Sequence, residues 1–326
     1  MIARRHLLVV LGIGMLAGSM PDLAQPGKVW RIGFLSPASA AGARSRVEAF
    51  RAGLRELGYV EGRNIAVEFR YAGEKYERLP ALAAELAQLK VDVLVTHSGA
   101  GARAAKDATA TIPIVFAAVG DPVASGLVES LARPGGNITG LTFFAFDLYA
   151  KRIELLAEIL PRVKRVAFLL NPDSPLVASA IAATEDAVKP LKVELLRFAA
   201  RNPGEFESAF SAMAKRGVDA VAVQEESVFL TNTRSIAQLA AKRRLPVASG
   251  VAFADAGSLL GYGPDLLALF HRSAYFVDRI LKGAKPGELP IERPTRFELV
   301  VNSRTAKQIG VTIPSKVLAR ADRVIE

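Results

Sequence analysis

The residues with the clearest chemical pattern lie between Val91 and Ala108, in the stretch VDVLVTHSGAGARAAKDA. An apolar run is followed by Gly99-Ala100-Gly101-Ala102-Arg103-Ala104, which matches the G-x-G-x-x-A pattern of dinucleotide-binding turns. Asp121 follows about 20 residues later, where a dinucleotide site places the carboxylate that binds the ribose. The pattern raises the hypothesis of an NAD enzyme.

Two mismatches argue against that hypothesis. A dinucleotide fold needs its glycines after the first strand, and here they follow the third predicted strand. The start of the chain also indicates export, away from cellular NAD. We therefore expect no cofactor. Gly99 and Gly101 beside Ser98 could instead form a cradle for a carboxylate, because unpaired amides at a helix start attract anions. Close packing of helix on sheet would explain the glycines equally well.

No other combination of residues predicts catalysis. The three histidines, His6, His97 and His271, are too dispersed for a metal site, and no nucleophile or Walker motif is present. Glu225 and Glu226 are adjacent, so on an extended segment at most one should face a cleft. We expect a protein that is not an enzyme and holds no metal.

The N-terminus predicts a secretory signal peptide within residues 1–25. Arg4 and Arg5 precede an apolar stretch from Leu7 to Ala17, which is short for a membrane span, and small residues follow. The chain has no cysteine, so a lipid-modified cysteine cannot anchor it, and we expect a periplasmic protein. The formal charge of +10 is scattered along the chain, so we expect no nucleic-acid partner.

The rest of the chain contains an internal repeat of one α/β unit. VWRIGFLSP is echoed by VKRVAFLLNP, AVEFRYA by VELLRFA, LAQLKVDVLVTHS by MAKRGVDAVAVQEE, and TIPIVFAAVGD by RLPVASGVAFAD. Fully apolar strands that alternate with helices predict parallel sheets covered on both faces. The sequence therefore predicts two similar Rossmann-like lobes.

Ligands of such sheets bind beyond the carboxyl ends of the strands, so the polar turns at those ends are the candidate ligand-binding residues. The first half contributes Ser36, Pro37, Ala38, His97, Ser98, Gly99, Gly120 and Asp121, and the second contributes Asn171, Ser174, Gln224, Glu225 and Gly250. Phe143, Phe144 and Phe146 could pack on a ligand or fill the core of a hinge, and we favour the hinge.

Several long stretches resemble the ABC transporter substrate-binding proteins related to the tryptophan- and tyrosine-binding group. They are TIPIVFAAVGDPVASGLVESLARPGGNITGLT, GYGPDL, KGAKPGELPIERPTRFELVVN and GVTIPSKVLARADRVIE. The resemblance implies a type 1 periplasmic-binding fold with a ligand cleft between two lobes. It also implies three hinge crossings, which we place near residues 141–144, 251–261 and 292–296. The first lobe would comprise residues 28–142 and 260–292, and the second 143–259 and 293–326.

The same resemblance suggests roles for the turn residues. Ser36, Ser98 and Gly99 would hold a ligand carboxylate, with Asp121 at the rim. Residues of the second lobe, namely Asn171, Ser174, Gln224 and Glu225, would hold an amine. The Asn171 turn reads NPDSPLV, whereas the amino-acid-binding relatives tend to have an acidic residue followed by Pro-Asn-Ser.

The function implied by the resemblance is solute capture for an ABC importer. The ligand would be amino-acid-like or an aromatic carboxylate, and a monomeric protein would deliver it to a membrane permease driven by a cytoplasmic ATPase. A periplasmic sensor that presents its ligand to a membrane receptor remains open. A repressor's effector domain shares the fold but needs a helix-turn-helix where the signal peptide stands.

Overall fold

The fold is described from a computed structural model that covers residues 28–143, 145–175 and 177–326. The predicted signal peptide at 1–25 and Phe144 lie outside the described residues.

The first lobe is built on a five-stranded parallel sheet in the order β2-β1-β3-β4-β5. Its strands are β1 (Trp30–Ser36), β2 (Ile65–Tyr71), β3 (Val93–Thr96), β4 (Ile114–Val119) and β5 (Ile138–Thr142). Its first helices are α1 (Ala40–Glu56), α2 (Leu79–Gln88) and α3 (Ser98–Ala108). Strands β3, β4 and β5 are buried throughout, as expected for apolar strands covered on both faces.

The second lobe is built on a seven-stranded sheet in the order β12-β11-β10-β9-β8-β6-β7, in which only the β10–β11 pair is antiparallel. Its strands are β6 (Arg165–Leu170), β7 (Glu194–Ala199), β8 (Ala220–Val223), β9 (Val247–Ser249), β10 (Leu260–Gly263), β11 (Glu298–Asn302) and β12 (Arg323–Ile325). Its helices are α4 (Ala145–Ile159), α5 (Val177–Val188), α6 (Phe206–Lys215), α7 (Ser227–Thr231), α8 (Thr233–Lys242), α9 (Val251–Asp255), α11 (Ser303–Ile309) and α12 (Ser315–Leu318).

The strand order confirms the repeat predicted from the sequence. Strands β2-β1-β3-β4-β5 of the first sheet correspond in order to β7-β6-β8-β9-β10 of the second. The repeated Val-Asp turns also make equivalent hydrogen bonds. The Asp92 carboxylate accepts the Arg31 backbone amide at 2.7 Å, and the Asp219 carboxylate accepts the Arg165 backbone amide at 2.8 Å. Each aspartate ties the start of its strand to the first strand of its sheet.

The placement of the three crossings between the lobes stays a prediction, but the strand pairing conflicts with one of the residue ranges. The first crossing was expected near residues 141–144, at the end of β5, and the third near 292–296, where Glu292 bridges to Leu141. The second was placed at 251–261, with residues 260–263 assigned to the first lobe. This was wrong, because Leu260–Gly263 is β10, the fifth strand of the second repeat, and it pairs with β9 and β11. The crossing therefore follows Gly263.

After this crossing the chain returns to the first lobe as α10 (Leu266–Leu281), which packs along α1. Gly53 of α1 allows the close approach, since a Cβ there would lie 2.3 Å from the carbonyl oxygen of His271. Tyr59 donates to Asp278 at 2.9 Å and ties the two segments further. Within the described part of the chain, no helix combines the length and the apolar character needed to cross a bilayer.

Candidate functional site

A cavity lies between the two lobes at the ends of their strands. The first lobe lines it with Arg46, His97, Ser98, Gly99, Ala118, Gly120, Leu266 and Phe270. The second lobe, which begins at about Phe143, contributes the other lining residues. They are Phe143, Phe146, Tyr149, Ser174, Gln224, Glu225, Glu226, Ser227 and Leu230.

The N-terminus of α3 reaches the cavity through Ser98 and Gly99. Ser98 adopts a left-handed backbone conformation, with φ of 62°, and its hydroxyl accepts the Gly101 amide at 3.3 Å. A Cβ on Gly101 would lie 2.5 Å from Thr96 Oγ1, so this glycine lets α3 pack closely on β3. The two explanations of the glycine pattern, a ligand cradle and close packing, therefore apply to different glycines. Gly101 allows close packing of the helix on the sheet, and Gly99 lies at the cavity.

His97 ends the buried turn before α3 and is nearly inaccessible to solvent. Its Nε2 lies 3.0 Å from Ser36 Oγ, which also accepts the Ala38 amide at 3.2 Å. The ring meets Phe270 edge-on, with 5.2 Å between centroids. Burial, and secondarily the nearby charge of Arg46, holds the pKa of His97 well below 6.5, so the imidazole is neutral at pH 7.

Arg46 projects from α1 into the same cavity and is 7% exposed. Its Nη2 donates to the Gly42 carbonyl at 2.7 Å, and no described carboxylate forms an ion pair with it. Burial lowers the pKa of Arg46 to about 10, and attraction to Glu74 and Tyr76 offsets only part of that effect. The cavity therefore contains a buried guanidinium without a neutralising partner.

A second buried arginine, Arg152 of α4, lies behind the opposite wall. Its Nη2 is 2.6 Å from Glu225 Oε2, with both side chains almost completely buried, and its Nε donates to the Tyr262 carbonyl at 2.7 Å. A Cβ on Gly250 would lie 2.1 Å from Glu225 Oε1, and one on Gly263 would lie 2.9 Å from Arg152 Nη2. The small residues at these positions leave room for the ion pair.

Glu226 connects the lobes. Its Oε1 accepts the Ser174 hydroxyl at 2.6 Å, and its Oε2 accepts the Tyr76 hydroxyl of the first lobe at 2.7 Å. Burial raises the pKa of Glu226 above 4.5, although both hydroxyls stabilise the ionised form. The expectation that at most one of Glu225 and Glu226 would face the cleft was wrong. Strand β8 ends at Val223, so the alternation of side chains does not extend to these residues.

The Asn171 side chain stabilises its own turn and does not line the cavity. Asn171 Oδ1 accepts the Asp173 amide at 3.0 Å, and the Asn171 amide donates to Gln224 Oε1 at 2.9 Å. Asp121 behaves similarly, because its carboxylate accepts the amides of Val123 and Ala124. Both polar side chains shape turns next to the cavity.

The sequence-predicted site residues thus fall into two groups. Those that line the cavity are His97, Ser98, Gly99, Gly120, Ser174, Gln224 and Glu225. Those that support it from beside or beneath, without lining it, are Ser36, Pro37, Ala38, Asp121, Asn171 and Gly250. Phe143 and Phe146 line the cavity, and the preference for a role in the hinge core stays a prediction.

Sequence reasoning missed the two arginines and Tyr76. Arg46 lies on the same face of α1 as the buried residues Ala43, Val47 and Phe50. Arg152 is likewise buried in α4 beside Tyr149 and Ile153. A charged residue within an apolar stripe was the signal that could have identified them. Among the described residues, no group of three His, Asp or Glu side chains could hold a metal ion.

Comparison with known proteins identifies the family. A family model described as ABC transporter substrate binding protein matches residues 31–325. The chain belongs to this family. This substrate-binding protein is also 26% identical over 266 residues to a tyrosine-binding protein from Clostridioides difficile (strain R20291), covering 81% of this chain and 76% of that protein.

Solved structures place this substrate-binding protein in the type 1 periplasmic-binding fold. A conserved domain protein from Vibrio cholerae O1 biovar El Tor str. N16961 shares 28% identity at a TM-score of 0.85, over 91% of this chain and 100% of that one. A Streptococcus pneumoniae ABC domain in complex with L-Trp shares 24% identity at a TM-score of 0.84, with the same coverage. The two-lobed α/β fold predicted from the sequence is confirmed.

Proposed function

We propose that this protein is the solute-binding component of an ABC importer and that it captures a small organic carboxylate, amino-acid-like or aromatic, between its lobes. The observation that carries the proposal is the inter-lobe cavity, in which Arg46 and the α3 N-terminus face polar and aromatic side chains of the second lobe. A cation and a helix N-terminus favour an anion, and the phenylalanines favour an apolar body. The protein acts by binding and not by catalysis.

The mechanism is closure of the lobes about the three crossings. A ligand first binds one lobe, and closure then adds the contacts of the other, so a ligand that touches both lobes favours the closed state. Two close approaches support the view that the lobes are drawn together here. Tyr76 donates to Glu226 across the cleft, and a Cβ on Gly42 of α1 would lie 2.3 Å from Thr231 Cγ2 of α7.

The proposed location is the periplasm, and the proposed partners are a membrane permease and, through it, a cytoplasmic ATPase. Family membership supports this assignment, as does the signal peptide predicted at residues 1–25. The absence of cysteine from the chain removes the residue that would carry a lipid anchor. We propose that the protein works as a monomer, without nucleic acid or cofactor.

A thermal-unfolding screen tests the binding function. The purified protein is heated with amino acids, aromatic and aliphatic carboxylates, neutral sugars and nucleosides, and NAD. A ligand at 100 times its Kd stabilises by about 2.7 kcal/mol, a shift of several degrees. We expect selective stabilisation by one class of small carboxylate, and stabilisation by NAD alone or by nothing would contradict the proposal.

An uptake assay then separates import from sensing. Deleting the gene should reduce uptake of the solute that stabilises the protein, and restoring it should recover uptake. Unchanged uptake combined with a lost transcriptional or behavioural response to the solute would favour the sensor.

A further inference from the structure

The two lobes meet closely where α7 of the second lobe lies against the first turn of α1. A Cβ placed on Gly42 would lie 2.3 Å from Thr231 Cγ2 and 3.0 Å from Thr231 Oγ1. Carbon atoms that are not bonded to each other pack at about 3.5–4.0 Å. A residue larger than glycine at position 42 therefore fits only if the lobes separate here or if Thr231 moves.

Thr231 is held in place by its own helix. Its hydroxyl donates to the Ser227 carbonyl at 2.7 Å, and a β-branched side chain has few alternative rotamers. The following residue, Asn232, donates to the Val228 carbonyl at 2.7 Å and closes the same turn. The methyl group of Thr231 is thus a fixed point of contact with α1, and separation of the lobes is the simpler response to a larger residue.

The backbone of α1 does not itself require glycine at position 42. Gly42 is the third residue of the helix and does not adopt a positive φ. Its amide donates to the Ser39 hydroxyl at 3.2 Å, a bond that any residue except proline could make. Glycine is a poor helix former compared with alanine. The helix accepts this cost at a position where the second lobe needs the space.

Helix α7 contacts the first lobe at both ends and carries part of the cavity wall between them. Glu226, its N-cap residue, accepts the hydroxyl of a first-lobe tyrosine at 2.7 Å, and Thr231 at the other end meets Gly42. Ser227 and Leu230, which lie between these contacts, line the cavity. The seating of α7 on α1 therefore determines how closely this wall approaches the first lobe.

The contact also lies at the edge of the cavity. Arg46 and Leu230 line both the cavity and a second, outer pocket between α1 and α9, and Gly42 lines the outer pocket. The Gly42 carbonyl accepts Arg46 Nη2 at 2.7 Å. Movement of α7 away from Gly42 would join the two pockets beside Arg46 and open a way out for a bound solute.

We infer that Gly42 is the residue on which the second lobe closes, and that its lack of a side chain sets how far the lobes close over the solute. Gly42 is a positioning residue, because it acts through α7 and not by touching the solute. The inference rests on the proposed function, in which the lobes close on a solute, and it identifies the contact that limits this closure.

A pair of cysteines tests the contact without any solute. The natural chain has no cysteine, so Gly42→Cys with Thr231→Cys introduces the only two thiols. The contact brings the two Cβ atoms close enough for the separation of about 3.5–4.5 Å that a disulfide needs. We expect an intramolecular disulfide under mild oxidation, measured by thiol titration and by mobility on a non-reducing gel.

Arg44→Cys with Thr231→Cys is the matched control for this pair. Arg44 is exposed two residues further along the same helix, so its Cβ points away from Gly42 and α7. This pair should form the disulfide about tenfold or more slowly, because a bridge requires Cβ vectors that point toward each other. Equal rates for the two pairs would overturn the inference.

Gly42→Ala separates closure from folding. Alanine favours the helix, so the melting temperature without solute should equal or exceed that of the wild type. Calorimetric titration with L-tyrosine, L-tryptophan, phenylpropionate and benzoate should show a Kd raised about fivefold or more for each probe that the wild type binds. Gly53→Ala is the matched control for packing within one lobe, since its Cβ would lie 2.3 Å from the His271 carbonyl oxygen, and it should lower the melting temperature.

A compensating substitution distinguishes closure from a general defect. Thr231→Ala combined with Gly42→Ala moves a methyl group from one lobe to the other, and we expect the Kd to return to within about twofold of the wild-type value. Failure of the first cysteine pair to form its disulfide, wild-type affinity of Gly42→Ala, or no recovery in the double variant would overturn the inference and leave solute binding intact. A disulfide that forms in a protein that binds no solute would support the contact and overturn the proposed function.

Discussion

At the scale of single residues, the described structure contains an unusual pair of buried arginines with different surroundings. Arg152 has Glu225 and the Tyr262 carbonyl as partners, although its Nη1 atom is buried without a hydrogen bond. Arg46 has only a backbone carbonyl of its own helix and the open cavity. Arg152 is therefore positioned to stabilise the wall of the cavity, and Arg46 is positioned to contact a ligand.

Breaking the Arg152–Glu225 pair should destabilise the protein strongly. Arg152→Met leaves Glu225 buried without a counter-charge, and we expect a loss of about 3–5 kcal/mol in the free energy of unfolding by urea. Arg152→Met with Glu225→Leu should recover most of it. Arg51→Met, which removes the more exposed pair with Glu61, should cost about 1 kcal/mol or less. A double variant as unstable as the single one would contradict this account.

His97 should make stability depend on pH. Its pKa is lowered in the folded state, so below about pH 6.5 the unfolded chain binds a proton that the folded chain excludes. Stability is then lost as the pH falls, at up to about 1.4 kcal/mol per unit. Relative to His97→Gln, the wild-type protein should lose about 1 kcal/mol of unfolding free energy between about pH 7 and pH 5.5. Parallel pH profiles would show that His97 does not titrate in this way.

The residues of the site were only partly predictable from the sequence. The rule that ligands bind at strand ends found His97, Ser98, Ser174, Gln224 and Glu225, because strand ends are visible as the limits of apolar runs. It could not find Arg46 or Arg152, which lie on helices that reach the cavity from the side. Nor could it show that Asn171 and Asp121 use their side chains on their own turns.

At the scale of elements, the position of α3 depends on one glycine. Gly101 brings the helix close to Thr96 at the end of β3, and this places Ser98 and Gly99 at the cavity. The glycine pattern that resembled a dinucleotide-binding motif therefore has a structural reason. A helix that begins at a strand end needs a small residue wherever it lies against the sheet.

Gly101→Ala should displace α3. The new Cβ would lie 2.5 Å from Thr96 Oγ1, so we expect a loss of about 1–3 kcal/mol in unfolding free energy and weaker ligand binding. Thr96→Ala removes that oxygen, so adding Gly101→Ala to it should cost much less than adding it to the wild type. A double-mutant cycle with zero coupling energy would show that the contact does not limit the helix.

The elements themselves were the most predictable part of the fold. Repeated runs correctly predicted β1 to β4 and β6 to β9. The central strands are buried on both faces and have no polar alternation to obscure them, whereas the edge strands β2 and β7 are more exposed and were found because they repeat. The second crossing was misplaced because β10 is a short strand, LGYG, with two glycines and little apolar character. Its identity as a strand depends on its neighbours β9 and β11.

At the scale of the whole molecule, the hydrogen bond between Tyr76 and Glu226 supplies a contact between the lobes that the protein makes itself. Under the proposed closing motion, a contact of this kind forms only when the lobes are together, so it would bias the lobes toward closure independently of the ligand. It also brings a residue of the first lobe to the wall that the second lobe forms.

Tyr76→Phe should therefore open the ligand-free protein. Losing one hydrogen bond worth about 0.5–1.5 kcal/mol shifts the equilibrium between open and closed forms by about 2- to 12-fold. Small-angle X-ray scattering should detect a larger radius of gyration, and the Kd of the bound solute should rise by a similar factor. Tyr59→Phe is the matched control, because Tyr59 donates to Asp278 within the first lobe. An equal expansion in both variants would rule out a specific effect on closure.

The position of α10 has a consequence for how the chain acquires its structure. This helix follows the second lobe in the chain, yet it packs on α1, β4 and β5 of the first. The face of the first sheet that α1 covers in part therefore remains incompletely covered until residues beyond 266 are available, and contacts such as Tyr59 with Asp278 join positions 219 apart. Contacts so distant in the chain are slow to form. The first lobe should thus complete its core last, although its strands come first, and a fragment ending at residue 142 should expose an apolar sheet face and aggregate.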